Sequence, residues 1–137
     1  MIFASEKLDQ VTEHGIRQLV DGFYVKVRAD PELAPIFARA IPGDWQPHLT
    51  KMYGFWSSVM LTTGRYKGNP VAKHLVIPGV TPELFERWLA LFDATCSELF
   101  DDRTSDLFRI KAERIAESLK LALFYRPDRP WPPEPIP

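Results

Sequence analysis

Three histidines and a single cysteine are the residues of this chain whose types could bind a metal or act as a nucleophile. His14 lies among Thr12, Glu13, Arg17 and Gln18, a polar setting that suits a solvated surface position. His48 falls on the apolar side of a helical pattern. His74 stands in Lys73-His74-Leu75, shortly before Pro78-Gly79. A histidine on an apolar face is more often a satisfied core residue than a ligand, so the residues alone leave both readings open. The set is not a zinc signature, because HExxH and CxxC are absent and the carboxylates have no diagnostic spacing. Neither a glycine-rich phosphate loop nor a nucleophile elbow is present. Cys96 lies mid-helix beside Thr95 and Ser97 and reads as a small core hydrophobe.

Aromatic residues are abundant: nine Phe, four Tyr and four Trp. A core of large side chains and a pocket for a flat apolar ligand would both use them. One neutral histidine beside a large aromatic pocket is what haem requires. The iron takes an imidazole nitrogen as its fifth ligand, and the porphyrin faces need apolar walls.

The elements that must position these residues read as helices. Ile16, Leu19, Val20, Phe23, Tyr24 and Val27 mark one face of a first helix. Asp30-Pro31 should end it, since a residue before proline avoids the α region. A short turn from Glu32 to Ala40 carries Leu33, Ile36 and Phe37. A second long helix runs from about Gln46 to Thr62, with His48, Met52, Phe55, Trp56 and Val59 on one face. Gly64 and Gly68-Asn69-Pro70 break the pattern. Val71 to Gly79 forms a short element. Thr81-Pro82-Glu83 reads as a helix start, with Thr able to cap, Pro suited to the first turn and Glu to the positive end of the dipole. That helix carries Leu84, Trp88, Leu91, Phe92, Thr95 and Leu99. The last helix is expected from near Ser105 to Tyr125-Arg126, carrying Leu107, Ile110, Ile115, Leu119 and Leu123. Residues 126–137 hold six of the thirteen prolines and read as a flexible tail after a single domain over 1–125. An all-α domain with short connections is the expected class.

Composition excludes several functions. Hydrophobic residues make up 45% and charged residues 26%, too apolar for disorder. A formal net charge of −1, with Lys and Arg scattered, argues against nucleic acid and acidic membranes as partners. The opening MIFASEKLDQ lacks the form of a secretory signal, and no apolar run could span a bilayer. A lone cysteine suits a reducing, cytoplasmic compartment.

Several ordered motifs over about residues 12–125 resemble the truncated haemoglobins. The first is Leu19-Val20-Asp21-Gly22-Phe23-Tyr24-Val25-Lys26-Val27-Arg28, followed by Asp30-Pro31-Glu32-Leu33-Ala34-Pro35-Ile36-Phe37. His48 with Phe55-Trp56, Lys73-His74-Leu75, and Phe85-Glu86-Arg87-Trp88-Leu89-Ala90-Leu91-Phe92 resemble the third group of that family. The glycine-pair motifs of other truncated globins are absent, as the third group implies. The resemblance implies a two-over-two helical sandwich around haem b. It implies His74 as the proximal iron ligand and Tyr24, His48 and Trp88 as the distal, ligand-facing residues. It implies Phe37 as an aromatic wedge against the porphyrin, Met52, Phe55 and Trp56 as further distal wall, and Lys51 as a partner for a haem propionate. The implied function is reversible binding of oxygen, nitric oxide or carbon monoxide. Two distal donors, Tyr24 and Trp88, suit an oxygen ligand that carries partial negative charge. Two alternatives stand beside it. One is a nitric-oxide dioxygenase or peroxidase-like enzyme served by a reductase. The other is a haem-free helical interaction module.

Overall fold

The computed structural model describes residues 6–75 and 77–124, which form six helices. In chain order these are α1 (Glu13–Ala29), α2 (Leu33–Ala40), α3 (Gln46–Leu61), α4 (Pro70–Leu75), α5 (Pro82–Leu99) and α6 (Asp102–Phe124). The proline-rich segment 126–137 lies outside the described residues.

α1 begins where the Thr12 hydroxyl accepts from the Gly15 amide at 3.0 Å. It buries Ile16, Leu19, Val20, Phe23, Tyr24 and Val27, the face read from its periodicity. It ends at Asp30, as the following proline requires. Glu32 to Ala40 was expected as a turn, but residues from Leu33 onward are an eight-residue helix, α2. The cause is Asp30. Its carboxylate accepts from the amides of Glu32 (3.0 Å) and Leu33 (2.9 Å), so the residue that stops α1 also starts α2. Pro35 falls in the first turn, where an amide hydrogen has no helical partner.

The C-terminal helices depart from expectation in two smaller ways. Thr81 stands at the N-cap of α5 in extended conformation, yet its side chain makes no capping hydrogen bond; its carbonyl accepts from the Leu84 amide instead. α6 starts at Asp102, not near Ser105, because the Asp101 carboxylate accepts from the Thr104 amide at 2.8 Å. Ser105 is buried, and its hydroxyl donates to the Cys96 carbonyl at 3.0 Å.

α1 packs against α3 and α5, α5 against α6, and α4 against α6: a two-over-two arrangement of the long helices. Aromatic rings fill the centre. Phe92 lies between Trp56 (4.9 Å, 20°) and Trp88 (5.6 Å, 9°), and Phe100 stacks on Phe108 at 4.8 Å. Each such pair contributes about 0.5–1.5 kcal/mol beyond burial. A smaller cluster of Phe85, Ala116 and Leu119 lies between α5 and α6. At the turn before α5, Gly79 has φ +87°, and a Cβ there would come within 2.9 Å of Ile36 on α2. Glycine at this point therefore serves both the backbone and the close approach of α2.

Candidate functional site

Every residue that the sequence motifs assigned to a site lines one cavity of about 630 Å³. Tyr24 reaches it from α1, Phe37 from α2, and His48, Lys51, Met52, Phe55 and Trp56 from α3. His74 reaches it from α4 and Trp88 from α5. The volume is within the range of small-molecule and cofactor pockets. The walls join both hydrophobic clusters: Tyr24, Leu33 and Trp56 belong to the larger, Phe85, Ala116 and Leu119 to the smaller.

His74 is oriented by its own helix. Its Nδ1 lies 2.7 Å from the Pro70 carbonyl. A carbonyl can only accept, so Nδ1 donates to it, and in the neutral ring Nε2 is the nitrogen with the lone pair. Proline at the first position of α4 supplies this carbonyl one turn before the histidine. The His74 ring lies 6.4 Å from Phe85 at 32°.

The other side of the cavity is aromatic with a few polar tips. Tyr24 is 7% exposed. Its ring meets Phe23, Phe37, Trp45 and His48 at centroid distances of 4.9 to 5.9 Å. Burial pushes its hydroxyl well above the usual tyrosine range, so it stays protonated and able to donate. His48 Nε2 is buried with no hydrogen-bond partner among the described residues. Burial, with Lys51 and His74 adding repulsion, lowers the His48 imidazole to about 4 and keeps it neutral near pH 7. An orphaned nitrogen in an apolar pocket is costly unless something else bonds to it. Trp88 lies flat on Phe92 and meets Phe23 edge-on at 5.4 Å.

The cavity suits haem in three respects. It has a histidine from α3 and another from α4 on its lining, apolar and aromatic walls, and cations for the two carboxylates: Arg39, Lys51 and Lys73. Lys51 is exposed, as a rim position requires. Sequence reasoning missed Arg39 and Lys73 as site residues, although Lys73 adjoins His74. It also missed Trp45, which backs both Tyr24 and His48 and is itself covered by the Arg28 guanidinium at 4.7 Å. No periodic pattern marks Trp45, because it lies in a connection. His14 is exposed and outside the site. Cys96 is fully buried, and burial pushes its thiol up to about 12, which removes it as a nucleophile near neutral pH.

Short helices in this order, wrapped on a two-over-two core around an apolar cavity with a histidine from α3 and another from α4, define a globin. A family profile described as bacterial-like globin matches residues 9–121. The group 3 truncated haemoglobin ctb of Campylobacter jejuni is 33% identical over 121 residues, covering 86% of this chain and 95% of that protein. The crystal structure of the group III truncated haemoglobin from the same organism superposes with a TM-score of 0.83, at 33% identity, over 87% of this chain and 96% of that one. The chain belongs to the bacterial-like globins, within the group III truncated haemoglobins. With that family come haem and the binding of diatomic ligands such as oxygen.

Proposed function

We propose that this chain holds one haem b through His74 Nε2 and binds oxygen reversibly in a pocket whose donors are Tyr24 and Trp88. The observation that carries the reading is the Pro70–His74 contact inside the cavity. It engages Nδ1 and so, in the neutral ring, makes Nε2 the nitrogen available to a metal, on a residue that lines one cavity with the other eight motif residues. When bound, haem supplies an iron with an open sixth position for a diatomic ligand. Phe37, Met52, Phe55 and Trp56 exclude water from that space. Arg39, Lys51 and Lys73 attract the carboxylates. Tyr24 and Trp88 donate to the ligand, and His48 stays neutral beside them as a gate or secondary polar contact.

Carriage of oxygen is the role this pocket supports. A nitric-oxide dioxygenase would need a reductase, and turnover on adding one would favour the enzyme. No helix among the described residues is long and apolar enough to cross a membrane. The buried lone Cys96 is consistent with the reducing cytoplasm. We also read the chain as one globin domain over 1–125, followed by a proline-rich segment that lies outside the described residues.

The test is the absorption spectrum of the reduced protein with and without carbon monoxide. A Soret band that shifts on adding carbon monoxide is expected. His74→Ala should lose stable haem, or retain it only with added imidazole. A colourless wild-type protein, or an unchanged spectrum and haem content in His74→Ala, would sink the assignment.

A further inference from the structure

Residues 62–69, between α3 and α4, are fastened around one side chain that no motif singled out. Tyr66 lines the cavity, and its ring stands edge-on to Phe55 at 5.1 Å and 90°. Its amide donates to the Ser58 hydroxyl at 2.9 Å, and that hydroxyl donates on to the Gly54 carbonyl, also at 2.9 Å. On the chain just before it, Arg65 pairs with Glu13 of α1 at 3.1 Å. The same glutamate accepts from the Ser57 hydroxyl at 2.7 Å, which lies 2.8 Å from the Thr63 hydroxyl. On the chain just after it, Gly68 supports the ring. A Cβ on Gly68 would sit 2.4 Å from the Tyr66 Oη and 2.6 Å from its Cζ. Gly64 and Gly79 have positive φ but Gly68 does not, so backbone strain does not explain this glycine. What it accommodates is the phenol.

The amide anchor and the aromatic edge set Tyr66 against the cavity, and the missing Cβ of Gly68 leaves the room its phenol occupies. We propose that Tyr66 is the contact that closes the haem edge between α3 and the helix of His74, and that its ring sets how tightly and in which orientation haem is seated. This rests on the haem reading above. Haem b is asymmetric across its vinyl-bearing edge, so a ring fixed at one edge favours one of the two orientations related by a half-turn. The ring carries the effect by van der Waals contact, and the hydroxyl is dispensable.

The experiment measures haem transfer from the holoprotein to excess apomyoglobin. It also measures the ratio of the two haem orientations by NMR of the ferric, cyanide-bound form. Tyr66→Ala should speed haem loss on the order of tenfold, about 1.4 kcal/mol, and move the orientation ratio toward equality. Gly68→Ala should do the same while keeping every wild-type side chain, because the new methyl displaces the ring. Tyr66→Phe should match wild type in both readouts. Haem loss within twofold of wild type and an unchanged ratio in both alanine variants would overturn the proposal alone. So would a Tyr66→Phe variant as impaired as Tyr66→Ala. A wild-type chain that takes up no haem would overturn the function proposed above as well.

Discussion

At the scale of the residue, the two proposed donors, Tyr24 and Trp88, do not stand in equivalent surroundings. Tyr24 has a protonated hydroxyl on an otherwise aromatic-walled ring, so Tyr24→Phe removes a donor and little else. Trp88 is half of a flat stack with Phe92, so Trp88→Phe removes a donor and also disturbs packing. A hydrogen bond to a partly charged acceptor contributes about 1.5–3 kcal/mol, or roughly 10- to 100-fold in oxygen release. Tyr24→Phe should therefore speed oxygen dissociation by about that factor while leaving the less polar carbon monoxide nearly unchanged. Trp88→Phe should act in the same direction and also lower the melting temperature. The two should be non-additive, because they serve one ligand. Stopped-flow dissociation of both ligands from the single and double variants measures this; wild-type oxygen rates in all three would mean that these residues only pack. Much at this scale was legible in advance. His74, Tyr24, His48 and Trp88 all reach the cavity, each by a motif of its own. Trp45 was not legible, since only the folded connection sets its indole behind Tyr24 and His48.

At the scale of the element, α2 depends on Asp30. Its side chain is 4% exposed and accepts from two amides and from Arg87 Nε at 2.7 Å. Burial alone would raise this carboxyl; the Leu33 amide, Arg87 and the Glu32 amide outweigh it and hold it below the usual carboxylate range. The sign follows from that direction. The lowered native value makes Asp30 stabilising above its unfolded value, about 3.9, and the contribution is lost as pH falls through the native value. Asp30→Asn should therefore flatten the loss of stability below about pH 4 that wild type shows, as read from urea midpoints across pH. Asp30→Ala, which also removes the cap, should cost about 1–2 kcal/mol at pH 7. Identical pH profiles for wild type and Asp30→Asn would remove Asp30 from the account. The sequence showed where α1 stops because proline forbids continuation locally. It did not show α2, because the Arg87 that completes the Asp30 site comes from α5, 57 residues along the chain.

At the scale of the whole molecule, the cavity joins two hydrophobic clusters, the larger drawn from α1, α3, α5 and α6 with Leu33 of α2 and the smaller from α5 and α6. A flat apolar group between them would complete the core. Haem should then raise the melting temperature with its concentration, by the equivalent of about 4 kcal/mol when free haem is 1,000 times its Kd. Calorimetry of the apoprotein titrated with haem checks this; a melting temperature indifferent to haem would mean that the core is already complete. The sequence by itself determined the long helices and the buried face of α1, since a 3.6-residue period and proline and glycine breaks act over a few neighbours, but not the face of α6, where Leu107 and Ile110 are exposed and Phe108, Ala112 and Ala116 are buried instead. It also carried the family, because motifs in fixed order survive as a string. Only the tertiary structure decided that His74 Nδ1 meets the Pro70 carbonyl while His48 Nε2 has no partner among the described residues, which of the many cations border the cavity, and what a Cβ on Gly68 would meet. Each of those depends on atoms brought together by packing, and periodicity along one helix records the face a residue occupies but not what meets it there.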